Sequence, residues 1–348
     1  MAPPRCIRAC PAYFGAKAQV LRDIFAAVDQ VLPREAWPRS TFVDCFLGGG
    51  SVSVMAKRLG FRVLANDLAA RSVLIGNALV ANDRVRLAQV DEQRLHVAHP
   101  GNDHRIEASF APKFFLPGHA RWLDNAFAVA RATPCPTKRA LLHLVLMHAI
   151  LAIRPFGDFS RSEVTEKFAA GDFDGVSLSV RGVRRILELT PSQLVDGLRD
   201  RVNAGVFANG HRHEIHQRDA LDFVAAVEGD VWYGDPPYLG SNSYEATYRG
   251  LDMILEGRDE PRETSGFNAP GALQLLDDLL DRAAHIPAWV LSFGGGKVTH
   301  DELLAREQRH RPARLANIDI RYRTGTAGGG DSGRRREILI VARKGGLP

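Results

Sequence analysis

The feature that most constrains the fold is a short strand that leads through a glycine turn into a helix. Residues 41–46 are apolar and β-prone, and Gly48-Gly49-Gly50 separates them from a helix predicted over residues 51–59. A second apolar run, residues 61–65, ends at Asn66-Asp67. Strands and helices that alternate with such short connections are typical of a parallel, doubly wound sheet.

The same alternation returns in the C-terminal part of the chain. The pattern predicts a strand at 214–217, a helix at 220–227 and a buried strand at 231–234. Later strands are predicted at 289–293, 314–323 and 337–343, and we expect the last two to form an antiparallel pair. Residues 240–269 are polar and predict a loop. We therefore expect an α/β fold whose Rossmann-like sheet is formed by residues 1–83 and 211–348.

The segment between these two parts has a different pattern. From 84 to 210 no strand–helix alternation is evident, and helices are predicted at 117–132, 137–153 and 191–202. A basic stretch lies between the last two helices. This segment is expected to be a mainly helical insertion into the α/β domain.

Composition limits the classes of protein that remain. The 348 residues are 45% hydrophobic, enough for a sizeable core, and their net charge of +5 is compatible with a polyanionic partner. Four scattered cysteines and a His211-x-His213 pair with no third ligand predict no metal site, and the cysteines fit a reducing cytoplasm. No apolar run is long enough for the ~18 residues of a membrane span, and residues 140–153 predict a buried core helix.

The glycine turn lies where a nucleotide-binding turn is found, after a strand and before a helix. Glycines allow a ligand to approach the backbone, and Asp67 lies where an acid can accept hydrogen bonds from ribose hydroxyls. Asp44 would repel a pyrophosphate and favours a ligand with a cationic amine. Ser53 breaks the GxGxxG fingerprint, which disfavours a nicotinamide dehydrogenase. The alternative is a glycine turn that only caps the helix.

Asp235-Pro236-Pro237-Tyr238 follows the strand at 231–234. The prolines fix the backbone and lack N–H donors, so the chain forms a stiff, non-helical tip with a carboxylate, free carbonyls and an aromatic ring. Such a tip suits a flat ring with an amine: the carboxylate and a proline carbonyl accept its two N–H hydrogens, and Tyr238 stacks on its face. The alternative is a proline-rich turn without a ligand.

In this order and spacing the motifs resemble those of the Dam-like, adenine-specific DNA methyltransferases. Tyr13-Phe14-Gly15-Ala16-Lys17 is similar to their N-terminal motif, residues 42–51 to their cofactor loop, and Asp235-Pro-Pro-Tyr238 to their catalytic motif. Residues 291–293 and 337–340 resemble their later motifs. The sequence departs from the pattern at Cys45, where many relatives have proline, and at Ala16, where many have glycine.

The resemblance implies a Rossmann-like, S-adenosylmethionine-dependent methyltransferase fold and a reaction that methylates the N6 amino group of a flipped-out adenine, leaving S-adenosylhomocysteine. It implies the catalytic residues Asp235, Pro236, Pro237 and Tyr238. The implied cofactor-binding residues are Tyr13, Phe14, Gly15, Lys17, Asp44, Phe46, Gly48, Gly49, Gly50, Asp67, Asp219 and Asp235. For Lys17 the alternative is a solvated lysine at a helix start.

The expected partner is double-stranded DNA, with residues 84–210 as the target-recognition region. The proposed DNA contacts are Arg154, Arg161, Arg181, Arg184, Arg185, Ser241, Asn242 and Tyr244. For any single arginine a solvated basic face is the alternative. We expect a monomer or weak dimer in the cytoplasm, with no metal and no membrane. A cognate restriction or defence system is a further candidate partner. Two other functions stay open: a catalytically silent DNA-binding module, and a methyltransferase that acts on RNA, cytosine N4 or protein glutamine.

Overall fold

A seven-stranded mixed sheet forms the centre of the fold. The computed structural model describes residues 4–11, 17–154, 186–237, 244–258, 266–268, 271–293, 298–323 and 334–346. The strands are β1 (Thr41–Asp44), β2 (Arg62–Asn66), β3 (Glu214–His216), β4 (Val231–Gly234), β5 (Ala288–Phe293), β6 (Ala313–Arg323) and β7 (Arg334–Arg343). Their order in the sheet is β3-β2-β1-β4-β5-β7-β6.

The five strands from β3 to β5 run parallel, as the strand–helix alternation predicts. β7 is antiparallel to both β5 and β6, so the expected antiparallel pair of late strands is confirmed. The sheet grows outward from β1 in two directions: β2 and β3 lie on one side of β1, and β4 and β5 lie on the other. Ligands of open α/β sheets bind at such a switch point, outside the carboxyl ends of the strands.

Helices cover both faces of the sheet. In chain order they are α1 (Arg5–Arg8), α2 (Leu21–Val31), α3 (Ser51–Arg58), α4 (Ala70–Ile75), α5 (Gln89–Gln93), α6 (Arg105–Phe110), α7 (Pro117–Ala132), α8 (Pro136–Ile153), α9 (Pro191–Val195), α10 (Leu198–Asn203), α11 (Ala220–Ala226), α12 (Tyr244–Glu256), α13 (Ala272–Arg282) and α14 (His300–His310). Short 3₁₀ turns occur at Lys17–Gln19, Arg34–Arg39, Arg94–His96 and Gly266–Asn268, and a π turn, Gly76–Val80, extends α4.

Two hydrophobic clusters follow from the alternation of side chains along the central strands. Phe42, Val63 and Tyr233 face the larger cluster, which includes side chains of α2, α3, α7 and α8. Their strand neighbours Val43 and Trp232 face the second cluster, with α11, α13 and α14. Because strands buried on both faces read as continuous apolar runs, this arrangement explains the sequence pattern of the central strands.

The structure corrects two expectations about helices. Residues 244–256 form α12 rather than part of a loop. Tyr248, Leu251 and Ile254 are buried at a spacing of three residues, so they lie on one helical face. The single helix expected at 191–202 is instead two, α9 and α10, separated by Gly197 with φ of 72°.

The longest apolar helix is α8, with 18 residues and a mean hydropathy of 1.2. By length and composition α8 meets the minimum for a membrane span. The sequence pattern predicted that no apolar run would reach that length. Within the protein 67% of it is buried, as in the core helix predicted for residues 140–153. A single such helix is weak evidence for a membrane protein.

Candidate functional site

Three strands bring polar side chains to the carboxyl edge of the sheet. Asp44 ends β1 and lies level with Ala65 of β2 and Tyr233 of β4. Asn66 and Asp67 therefore extend one and two residues beyond that level on one side of Asp44, and Asp235 extends two residues beyond it on the other. The structure thus brings together the three acids singled out in the sequence.

The turn after β1 takes a conformation that favours glycine. Gly48 and Gly50 have φ values of 50° and 78°, in the left-handed region. A Cβ atom at Gly50 would also lie 2.9 Å from a methyl group of Ile75. The turn brings the backbone N–H of Gly48 to 2.8 Å from the Asp67 carboxylate, to which it donates. The glycine turn and the acid after β2 therefore form one unit.

Asp44 is a buried carboxyl group with two local donors. Ser53 Oγ donates to one oxygen at 2.7 Å, and the backbone N–H of Phe46 donates to the other at 3.2 Å. The pKa of Asp44 is nevertheless raised to about 7, chiefly by burial and also by the nearby charges of Asp235 and Asp67. Ser53, the residue that breaks the GxGxxG pattern, is thus the side chain that holds Asp44.

Asp67 and Asn66 fix the neighbouring loops. The two Asp67 oxygens accept from the backbone N–H groups of Gly48 and Ala69, at 2.8 and 2.9 Å. Burial still raises the pKa of Asp67 above its usual range, against the effect of those donors. The Asn66 side-chain amide exchanges two hydrogen bonds of 3.0 Å with the backbone of Arg218. Asn66 therefore ties the loop after β3 to the end of β2.

Asp235 is anchored from inside the protein by a buried lysine. Lys17 Nζ lies 3.0 Å from Asp235 Oδ1 and 3.3 Å from Glu337 Oε1. Ser292 Oγ, on β5, donates to Glu337 at 2.5 Å. Lys17 and Glu337 are 3% and 0% exposed, whereas the Asp235 side chain is 16% exposed. Asp235 is therefore held from below and partly exposed at the sheet edge.

A second ion pair ties α12 to α4, near Asp67. Arg71, on α4, pairs with Asp252 of α12, and its guanidinium lies 4.5 Å from the centre of the buried Tyr248 ring. The positive charge of Arg71 also acts on Asp67, whose pKa it lowers. The helix that follows the Asp235 tip is thus fastened next to the acid that follows β2.

The remaining residues singled out in the sequence lie in several environments. Asp219 is exposed and caps α11, accepting from the backbone N–H of Leu221 at 2.8 Å. Phe46 is half-buried, with its ring centre 5.3 Å from that of Phe267. Arg154 is 5% exposed and lies over the Phe114 ring at 5.3 Å. Of the tip prolines, Pro236 is buried and Pro237 half-buried.

Several predictions fall outside the described residues. These are Tyr13, Phe14, Gly15, Tyr238, Arg161, Arg181, Arg184, Arg185, Ser241 and Asn242, together with the side chain of Tyr244.

The histidines near β3 have structural roles. His213 is buried, and its Nδ1 accepts from the backbone N–H of Val63 at 3.1 Å. Burial lowers the pKa of His213 to about 4, which keeps the ring neutral and able to accept that bond. Nε2 of His211 contacts the carbonyl of Pro38 at 2.9 Å. Both histidines therefore hold backbone groups of neighbouring segments.

Sequence reasoning missed the contacts that organise the site. Asn66 and Ser53 are polar residues next to motifs, and their roles depend on loops brought together by the fold. Glu337 and Ser292 were noted only as parts of the later motifs. Buried polar residues inside two apolar strands were the available signal, because an ionisable side chain in such a strand needs a partner.

Comparison with known proteins agrees with this geometry. Residues 13–103 match the model of the family described as D12 class N6 adenine-specific DNA methyltransferase. The chain is also similar to the Type II methyltransferase M2.HphI of Haemophilus parahaemolyticus. The two are 26% identical over 276 residues, which cover 78% of this chain and 81% of that protein.

Proposed function

Because the chain is a D12 class N6 adenine-specific DNA methyltransferase, we propose that Asp235 accepts hydrogen bonds from the N6 amino group of the target adenine during methyl transfer. One observation supports this assignment most directly. Asp235 is anchored by the buried Lys17 at the sheet edge where Asp44 and Asp67 also lie. A carboxylate that is held from inside the protein and partly exposed at the sheet edge is suited to orienting an amine.

Methyltransferases of this family use S-adenosylmethionine, and the residues at the edge fit it. That molecule has a cationic amine, a sulfonium and ribose hydroxyls, all of which interact favourably with carboxylates. Asp44 is buried near two other acids, and its pKa is raised by burial and by their charges. A positive charge placed beside it would favour its ionised form. We propose that Asp44 faces the cationic part of the cofactor, and that Asp67 accepts from the ribose.

The other proposed cofactor contacts surround these two acids. We propose that Gly48, Gly49 and Gly50 allow the cofactor to approach the backbone and that Asp219 lies on its adenine side. Tyr13, Phe14, Gly15, Lys17 and Phe46 complete the proposed set. The left-handed turn at Gly48 and Gly50 supports the role of the glycines.

In the proposed mechanism the chain supplies orientation and electrostatics. When bound, the cofactor supplies an activated methyl group. Asp235 and the carbonyl of Pro236 accept the two amino hydrogens, which directs the nitrogen lone pair toward that methyl. Lys17 keeps the Asp235 carboxylate in place. No base has to act before transfer, because the amine becomes acidic once methylated. Tyr238 stacks on the adenine and offsets part of the few kcal/mol that base flipping costs.

We propose that residues 84–210 recognise the DNA target. Two contacts support the description of this segment as an insertion, because they join its entry and its exit. Arg86 donates to the carbonyl of Val206 at 2.8 Å, and Leu87 and Asn203 exchange two hydrogen bonds of 2.9 Å. The helices α7 and α8 between these points belong to the same hydrophobic cluster as the sheet, which gives the insertion a rigid base.

The proposed DNA contacts of the sequence pattern are Arg161, Arg181, Arg184, Arg185, Ser241, Asn242 and Tyr244. Arg154, the other residue of that set, is 5% exposed and lies over the Phe114 ring, so it would have to be uncovered to reach DNA. Neutralising phosphates with arginines makes DNA affinity strongly salt-dependent. The relative in H. parahaemolyticus is named a Type II methyltransferase, and we extend that description to this chain. We propose that it acts in the cytoplasm on double-stranded DNA as the modification enzyme of a restriction system, as a monomer or weak dimer.

Mass spectrometry of nucleosides tests the proposed reaction. Double-stranded DNA incubated with the protein and S-adenosylmethionine is expected to yield N6-methyladenine at a defined sequence. N4-methylcytosine as the product, methylation of RNA or protein instead of DNA, or binding without any product would contradict the proposal. Sequencing of the methylated positions in a host that expresses the protein then gives the recognition sequence.

A further inference from the structure

Glu337 forms the base of the Asp235 site without reaching the sheet edge. It lies on β7, where it is 0% exposed, and accepts a hydrogen bond from Ser292 of β5. Lys17 lies between it and Asp235, at 3.3 and 3.0 Å. One ammonium group thus connects a carboxylate inside the sheet with the carboxylate at the tip of β4.

This arrangement is costly if its only role is stability. Burying a carboxylate costs several kcal/mol, and replacing a buried ion pair with apolar residues is often neutral or stabilising. Stability alone therefore does not explain why the Glu337 carboxylate is buried here. With Asp235 as its only carboxylate partner, Lys17 would be drawn over the face of the carboxylate that receives the amine. Attraction to Glu337 from below balances this pull and keeps Lys17 behind Asp235.

We propose that Glu337 is a positioning residue that acts through Lys17 to hold the Asp235 carboxylate in its reactive orientation. Ser292 fixes the Glu337 carboxylate by its hydrogen bond. The inference rests on the proposed function of Asp235, and it adds two residues that touch neither the cofactor nor the adenine.

The first test compares rates in Glu337→Gln and the wild type. The amide keeps the size of the side chain and can still accept from Ser292, but it lacks the negative charge that attracts Lys17. We expect the single-turnover rate of adenine methylation to fall roughly 10- to 100-fold, as for a small misplacement of a reacting group, while the Kd of S-adenosylhomocysteine stays unchanged. Glu307→Gln is the matched control, because Glu307 is also 0% exposed but lies on α14. It should retain the wild-type rate.

A double-mutant cycle with Lys17→Met tests whether Glu337 acts through Lys17. Once Lys17 is removed, Glu337→Gln should cause little further loss of rate. Equal losses in both backgrounds would overturn the proposal, as would a wild-type rate in Glu337→Gln. Ser292→Ala, a smaller change, should lower the rate less than Glu337→Gln and provides a second variant if the latter folds poorly. A wild-type rate in Ser292→Ala would then contradict the role of Glu337.

A crystal structure of Glu337→Gln supplies a readout that does not depend on activity. We expect Lys17 Nζ to be displaced toward the outer face of Asp235 in this variant and to keep its place in Glu307→Gln. An unchanged Lys17 position would overturn the inference. If the wild type forms no N6-methyladenine, the proposed function fails, and the crystal structures alone then decide the positioning role.

Discussion

Two fully buried glutamates on this protein have opposite surroundings. Glu337 contacts the ammonium of Lys17 and accepts from Ser292. Glu307, on the other face of the sheet, has two carboxylate oxygens without a hydrogen-bond partner among the described residues. Burial raises the pKa of Glu307 to about 8, although the positive charge of Arg311 opposes the shift. Near neutral pH, Glu307 is therefore a mostly neutral acid.

Arg311 itself serves the backbone around it. Its guanidinium donates to the carbonyls of Ala284, Ile286 and Pro287 and lies 3.3 Å from the centre of the Trp289 ring. It fastens the approach to β5, and this role does not require a charged Glu307. The comparison shows that burial alone does not mark a functional acid. The informative pattern is a buried acid that shares its cation with a partly exposed carboxylate at the sheet edge.

Of the substitutions that test this comparison, Lys17→Met is expected to lower the free energy of unfolding the most. The change leaves Glu337 without its cation in a buried environment, and breaking a buried pair in this way costs about 3–5 kcal/mol of unfolding free energy. Chemical denaturation at neutral pH measures the loss. The double variant Lys17→Met with Glu337→Gln should recover part of it. A loss no larger than the ~1 kcal/mol of a surface ion pair would show that the two buried acids are alike.

Glu307→Gln should change stability in a pH-dependent way. The unfolded pKa of Glu307 is near 4.5 and its folded pKa is about 8. Between these values the folded protein keeps a proton that the unfolded chain has released, so wild-type stability falls as pH rises. The variant lacks this loss, and its stability relative to the wild type should grow by about 1 kcal/mol per pH unit across the window. Thermal melts at several pH values measure the difference, and a constant difference would contradict a neutral Glu307.

The smallest expected effect is that of Ser53→Ala on the third buried acid, Asp44. The Ser53 hydroxyl lowers the pKa of Asp44, which is about 7. Without it, more Asp44 is protonated at neutral pH and a cationic ligand binds less well, by up to about tenfold. Calorimetry with S-adenosylhomocysteine should show this loss, and the loss should shrink as rising pH ionises the carboxyl group.

Ser40→Ala is a matched control for this measurement. Ser40 is a buried serine before the other end of β1, and its hydroxyl donates to the Ala36 carbonyl instead of to an acid. It should bind the ligand as the wild type does. Equal losses of affinity in both variants would show that Asp44 does not contribute to cofactor binding. A loss in Ser53→Ala that does not vary with pH would show the same.

Local sequence patterns predicted much of the fold and the outline of the site. Continuous apolar runs that end in glycine or acid residues are local signals, and they indicated the parallel strands and the edge with Asp44, Asp67 and Asp235. Helix α12 was missed because its buried face, Tyr248, Leu251 and Ile254, lies in a polar segment. The contact of Lys17 with Glu337 joins opposite ends of the chain. No local pattern predicts such a pair, since it depends on how β7 enters the sheet.

Asp235→Ala tests the central claim most directly. The claim is that the carboxylate held by Lys17 orients the adenine amine for methyl transfer. Single-turnover formation of N6-methyladenine should fall about 100- to 1000-fold, the cost typical of losing one preorganised electrostatic contact, while S-adenosylhomocysteine binds with a Kd close to that of the wild type. A variant that methylates adenine at the wild-type rate would contradict the account.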